Sequence, residues 1–258
     1  MNCTRIDEII LPQTLEVISN GAFKNYQIEK VIIPNNVRHI GEEAFRGNEI
    51  SEIVLPGSVN YIGESAFLLN QITNVEIPNS VTYIGDSAFG FNQLESVNIP
   101  GSVNYVDGFS SNNISDITLG EGITEIGDNA FSYNQIQSVL IPNSVTHISE
   151  AAFAYNEIVD LKLSENLSYI SEEAFLENNI SDILLPESLE YIGRRAFSKN
   201  NLTEIIIPDN VNYLSGFDAN RLTKVVLPND LVKIDTYAFP GNNKYLSLLN
   251  RLAIQLLL

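Results

Sequence analysis

A phenylalanine returns at a fixed beat along this chain. Eleven of the twelve fall at Phe23, Phe45, Phe67, Phe89, Phe109, Phe131, Phe153, Phe175, Phe197, Phe217 and Phe239; successive positions differ by 22, except that the steps 89 to 109 and 197 to 217 are shortened to 20. A fixed period of this size marks one short structural unit stacked on its own copies. The apolar side chains of a single unit bury too little surface to offset the entropy of ordering its backbone. Each coil must therefore hide its flanks against the next, and stability grows with the array.

The unit at residues 50–70 reads I-S-E-I-V-L-P-G-S-V-N-Y-I-G-E-S-A-F-L-L-N. Generalised, it is [IL]-x-x-[VIL]-x-[IL]-P-x-x-[VL]-x-x-[IVL]-G-[DE]-x-A-F-x-x-N. Alternation at the V-x-I step predicts a strand of three to four residues closed by proline. Nine of the ten prolines hold that slot: Pro12, Pro34, Pro56, Pro78, Pro100, Pro142, Pro186, Pro208 and Pro228. The G-[DE]-x-A-F stretch reads as a turn or a single helical turn, with Glu42, Glu64, Asp86 and Asp128 where a helix start favours negative charge. Three residues past each phenylalanine stands asparagine, from Asn48 through Asn70, Asn92, Asn112, Asn134, Asn156, Asn178, Asn200 and Asn220 to Asn242; the first unit has Tyr26 instead. A buried amide both donates and accepts, so the column is read as a ladder that satisfies the backbone of successive coils.

A slower period overlies the first. The shortened segments Val103–Phe109 and Val211–Phe217 are related by a shift of 108 in numbering, and His39 and His147 obey the same shift. Two five-coil cassettes, residues 2–109 and 110–217, imply internal duplication. No linker interrupts the beat, so residues 1–258 are read as a single domain. In the tail, leucines at 246, 249, 252 and 256 have helical spacing. Residues 244–258 are expected to form a C-terminal capping helix over the last coil.

The motif Ile77-Pro-Asn-Ser-Val-Thr-Tyr-Ile-Gly-Asp-Ser-Ala-Phe89, recurring along residues 6–242, resembles the BspA-like (bacterial surface-antigen type) leucine-rich repeat family. That family commonly carries cysteine where this chain has the asparagine column. The resemblance implies an α/β repeat fold: a right-handed leucine-rich-repeat solenoid with one parallel β-sheet of short strands and turns or one-turn helices on the other face. It also implies a cell-surface or secreted protein of adhesion or host-protein binding. The first residues, M-N-C-T-R-I-D-E, lack the basic and apolar regions of a secretory signal.

Charge narrows the partners. Fourteen Lys+Arg against 32 Asp+Glu give −18, which repels a phosphate backbone and argues against nucleic acid. A protein ligand, possibly basic, or a glycan is easier to accommodate. The apolar stretch 245–258 is interrupted by Asn250 and Arg251 and is too short for a membrane span. The lone Cys3 leaves no internal disulfide.

Chemistry finds little footing, and no enzyme is expected. The two histidines share a slot with tyrosines, and five coils at ~4.8 Å each would separate them by about 24 Å. No zinc, calcium or phosphate-loop spacing occurs, so neither cofactor nor metal is expected.

Partner binding then falls to outward rows. The middle residue of each V-x-I strand points away from the core. Ile10, Ile32, Val54, Leu140, Leu184, Ile206 and Val226 are the aliphatic members and the candidate protein-binding residues; Glu76, Asn98, Thr118 and Lys162 complete the row. The position before the strand is mostly acidic, at Glu8, Glu52, Asp116, Asp160, Asp182 and Glu204, with Lys30 and Lys224 as exceptions. An apolar patch with an acidic rim suits a protein presenting apolar and basic groups. A second row, Tyr61, Tyr83, Tyr105, Tyr169, Tyr191 and Tyr213, is the candidate glycan-binding surface, since aromatic rings can stack on sugars.

Overall fold

The computed structural model describes residues 8–250. By backbone proximity the chain forms two compact units, Met1–Ile123 with Asn129–Ile136, and Thr124–Asp128 with Gln137–Leu258. Both are built from parallel strands wound coil upon coil.

In the first unit, Glu8–Ile10 pairs in parallel with Lys30–Ile32, and Ser96–Ile99 with Asp116–Leu119. In the second, Ser138–Leu140 pairs with Asp160–Lys162, and Glu204–Ile206 with Lys224–Leu227. These are the expected V-x-I strands, closed by the proline slot. Their inward residues are buried, among them Val31, Val97, Val139 and Ile205.

Where the repeat predicts a single sheet, a second parallel ladder follows shortly after the first in each coil. It joins Val17–Ile18, His39–Ile40, Tyr61–Ile62 and Tyr83–Ile84 in the first unit. In the second it joins Glu125–Ile126, His147–Ile148, Tyr169–Ile170 and Tyr191–Ile192, with Tyr213–Leu214 paired to Lys233–Ile234. Two residues per strand are too few to leave a legible alternation in the sequence. The ring or imidazole faces out and the aliphatic neighbour is buried.

No helix occurs among the described residues, and of the two expected forms, turn or one-turn helix, the stretch around each phenylalanine takes the turn. The cause lies in the backbone. The residue two before the phenylalanine is left-handed in most coils, as at Glu43 (φ 52°), Ser65 (54°), Ala151 (51°) and Glu173 (57°). So is the residue two after it, as at Leu69 (59°), Phe91 (52°), Glu177 (53°) and Ala219 (52°). Left-handed residues cannot continue a right-handed helix. The N–H groups of these turns reach the neighbouring coil: Glu43, Phe45 and Gly47 each donate to a carbonyl one coil on, Glu64, Ala66 and Leu68, at 2.8 Å.

Inside these turns the phenylalanine rings stack face to face. Centroids lie 5.3 Å apart for Phe45 and Phe67, and 5.2 Å for Phe175 and Phe197; every ring of the repeating series from Phe45 to Phe217 is fully buried. Beside them runs the asparagine ladder. Asn70 donates from Nδ2 to the carbonyls of Phe45 (2.9 Å) and Phe67 (3.0 Å), while its Oδ1 accepts the Ile50 N–H at 3.1 Å. One side chain thereby ties two coils and leaves none of its own polar atoms unused.

The tail differs from the expected capping helix. Ser247–Asn250 is a strand, added in parallel beside Lys224–Leu227. An open ladder edge offers unpaired backbone groups, and an extended segment satisfies them where a helix cannot. The remainder of the expected helix, residues 251–258, lies outside the described residues, as does Cys3.

Candidate functional site

The outward strand row is where the sequence places it, with one exception. Leu184 is 85% exposed, Ile10 80% and Val54 79%; Ile32, Leu140 and Ile206 are also exposed. Val226, by contrast, is buried at 5%. Register sets it between Ile206 and Leu249 of the added terminal strand, so large aliphatic neighbours flank it on both sides. In the first unit Ile10 and Ile32 stand side by side in register. In the second, Lys162 separates Leu140 from Leu184 along the row.

The acidic rim is partly neutralised from within. The two lysine exceptions each face the acid of the preceding coil, Lys30 to Glu8 at 3.5 Å and Lys224 to Glu204 at 3.4 Å. Such exposed pairs contribute little energy but fix the local charge pattern. Asp182 has no ion pair or side-chain hydrogen bond among the described residues.

The row is not uniform in depth. Ile53–Leu55 joins no strand, nor do Val75–Ile77 and Ile183–Leu185, although the coils after the last two do. Both sites precede a coil shortened by two residues, Val103–Phe109 and Val211–Phe217, where Gly108 and Gly216 take φ of 98° and 92°. At the first, a hollow of about 560 Å³ opens among Asn74, Glu76, Ser96 and Asn98. At the second, Leu184 stands as a ridge between two smaller hollows. One, about 150 Å³, is lined by Leu161, Leu163 and Pro186; the other, about 230 Å³, by Leu185, Ile206 and Asp182. Neither opening follows from the repeat pattern, but the two shortened phenylalanine steps point to both.

The tyrosine row forms two stacked ladders. His39, Tyr61 and Tyr83 stack in the first unit, with centroids 4.3 and 4.7 Å apart. His147, Tyr169, Tyr191 and Tyr213 stack in the second, at 5.7, 4.3 and 6.3 Å. Ring faces are therefore largely spent on one another. Burial pushes the Tyr83 and Tyr191 phenols up from the ordinary range. Tyr213 rises to about 12, chiefly because its hydroxyl donates to the Asp235 carboxylate, and Asp235 is held low by the same bond. The Lys233 ammonium lies 5.2 Å from the Tyr213 ring centroid. His147 Nδ1 is 2.8 Å from the Thr146 hydroxyl. These histidines are members of a stack, which is a structural use of the ring.

Among the described residues no three His, Cys, Asp or Glu side chains gather as a metal site. No helix there is long and apolar enough to cross a membrane.

Known proteins share this architecture. The family model described as BspA type leucine rich repeat region matches residues 1–108 and 106–217, in six copies. Comparison with curated proteins gives no match. Among solved structures, a leucine-rich repeat protein from Bacteroides ovatus is similar at 21% identity, covering 95% of this chain and 84% of that one, with a TM-score of 0.52. The pneumococcal vaccine antigen PcpA is similar at 20% identity, covering 97% and 80%, with a TM-score of 0.63. YopM from Yersinia enterocolitica is similar at 23% identity with a TM-score of 0.62; the alignment covers 96% of this chain but 53% of YopM, about half its length. At these identities the likeness is one of fold.

Proposed function

The chain belongs to the BspA-type leucine-rich repeat family, and from that premise we propose that it is a non-catalytic scaffold that captures a protein partner on its outward strand row. One observation carries this reading: aliphatic side chains at Val54 and Leu184 stand at about four-fifths exposure on coils whose inward residues are buried, and Ile10 on the first coil is as exposed. Strand propensity accounts for a β-branched residue on a pleated surface. It does not account for Leu184, which is not β-branched and belongs to no strand. Apolar surface held in water contributes to binding at roughly 25 cal/mol per Å² when a partner covers it.

The net charge of −18 adds a preference for a basic partner. A bacterial surface or secreted setting is part of the proposal, in keeping with the family and with the vaccine-antigen name of PcpA. The test is an affinity capture with the full chain and with a variant carrying Ile10→Glu, Val54→Glu, Leu184→Glu and Ile206→Glu. We expect the variant to melt like the parent and to lose the partner. Equal capture by both would overturn the proposal.

A further inference from the structure

Apart from the strand row, we propose that the first unit carries a second binding surface, a strip formed by Leu69, Phe91 and Tyr133 with the amides of Gln71, Gln93 and Gln135, and that it takes a neutral, linear oligosaccharide.

The strip centres on Phe91, the one phenylalanine that stands off the beat. It lies two residues after Phe89, in the left-handed column of the turns, at φ 52°. Leu69 (59°) and Tyr133 (56°) hold the same place in their coils, and all three belong to the first unit. Asparagine and glycine adopt this conformation at least cost, and the same column uses them at Asn25, Gly47 and Gly241. A bulky apolar residue there is strained, and backbone strain of this kind gathers where ligands bind. Packing does not hold these side chains either. Leu69, Phe91 and Tyr133 are 48%, 56% and 54% exposed, and Phe91 stacks on no other ring among the described residues.

A second column runs beside the first. Two residues on, past each buried asparagine, an amide is exposed: Gln71, Gln93, Asn113 and Gln135. Gln135 Nε2 donates to Asn113 Oδ1 at 3.3 Å, so side chains of this column reach from coil to coil. The side-chain amides of Gln71 and Gln93 bond nothing among the described residues. The left-handed column also spans coils. Lys199 pairs with Glu177 there in the second unit, and Phe91 and Leu69 are their counterparts at a shift of 108.

The ligand class follows from charge and continuity. Residues 68–71, 90–93, 110–113 and 132–135 include no charged side chain in a chain of net charge −18. Their counterparts in the second unit include Glu177, Lys199, Asp218 and Arg221. A charged ligand finds nothing to pair with on the strip, and a protein steered by opposite charge is drawn elsewhere. Ser111 also interrupts the apolar members, so they form no continuous patch of the kind found at the centre of a protein interface. Most coils of the strip offer instead one apolar group beside one neutral amide. A pyranose has a face of C–H groups and a rim of hydroxyls. The face lies on an aromatic ring, whose negative π cloud attracts polarised C–H groups. The rim donates to and accepts from side-chain amides, which do both. Repetition from coil to coil suits a chain of such sugars.

The test probes the full chain on an array of immobilised neutral and acidic oligosaccharides, then titrates the strongest neutral binder by calorimetry. Binding to neutral sugars is expected. Phe91→Ala weakens the Kd by about tenfold or more, and Phe91→Tyr preserves it. Gln93→Ala weakens it by about threefold or more. Leu69→Glu with Phe91→Lys, which installs the second unit's ion pair, abolishes binding without lowering the Tm. Leu184→Asp leaves sugar binding unchanged, so the strand-row reading stands or falls by its own capture experiment. Silence toward neutral sugars, binding confined to acidic ones, or a Kd indifferent to Phe91→Ala overturns the proposal.

Discussion

The coil around Asn74–Ile77 and its counterpart in the second unit, around Asp182–Leu185, turn the same kinds of residue inward and differ at the strand position that faces out. Inward, Val75 answers to Ile183, Ile77 to Leu185, Phe89 to Phe197 and Asn92 to Asn200, and all are buried. Outward, Glu76 answers to Leu184 and Asn98 to Ile206. A break in the strand ladder thus accompanies a polar hollow in one unit and a leucine ridge between two smaller hollows in the other. Stacking restricts the interior to aliphatic exchanges of similar size beside a fixed Phe and Asn, because each coil must fit two near-copies of itself. The outer row answers only to water and to a partner, so it is where two otherwise equivalent coils can come to bind different things.

The comparison can be broken hardest from within. Phe89→Ala and Phe197→Ala each remove a fully buried ring stacked 5.4 Å from the next. Each is expected to lower unfolding free energy by about 3–5 kcal/mol, and by similar amounts, in urea denaturation. A large loss at only one would show that the interiors are not equivalent. Next come the amides. Asn92 bonds the Phe67 and Phe89 carbonyls and the Ile72 N–H; Asn200 bonds those of Phe175, Phe197 and Ile180. Replacement by alanine leaves these groups unpaired, at a cost of about 2–3 kcal/mol in either unit.

The outer row should behave in the opposite way. Leu184→Glu with Ile206→Asn gives the second unit the outward chemistry of the first. Stability should stay within about 0.5 kcal/mol, while capture of the second unit's partner falls at least about tenfold, or ~1.4 kcal/mol. Smaller still is a gain. Ser111 and Ala219 are counterparts held at φ of 55° and 52°. Glycine at either position relieves the left-handed strain at some entropic cost, for a net rise of about 0.5–1 kcal/mol in stability.

Tyr213 donates its hydroxyl to the Asp235 carboxylate. Tyr213, raised to about 12, should be the last of the row to ionise in an ultraviolet titration. Because folding raises this pKa from about 10, its contribution to stability is complete below pH 10 and disappears as pH climbs through 12. Asp235→Gly should return the phenol toward the ordinary range; an unchanged titration curve would remove the bond from the account.

The columns were legible because periodicity is a statement about neighbours, and Phe and Asn recur on nearly every beat. Outward direction was legible too, since the alternation of the V-x-I pattern places Ile10, Val54 and Leu184 between two inward residues. Val226 was not, because its burial depends on a terminal strand whose leucines have helical spacing. The left-handed turns were hidden for another reason. Asn, Ser, Ala, Glu, Tyr and Arg all occupy them, so no single residue type announces the conformation. The hollows depend on how far adjacent coils separate, a distance that sequence spacing does not encode.

Each asparagine reaches back to atoms 20 and 25 positions earlier in a full-length coil, and those atoms look alike from one coil to the next. An in-frame loss or gain of one whole turn would therefore present every amide with equivalent partners. Length becomes a quantity that recombination between near-identical segments can adjust, lengthening or shortening the displayed row without redesigning what supports it.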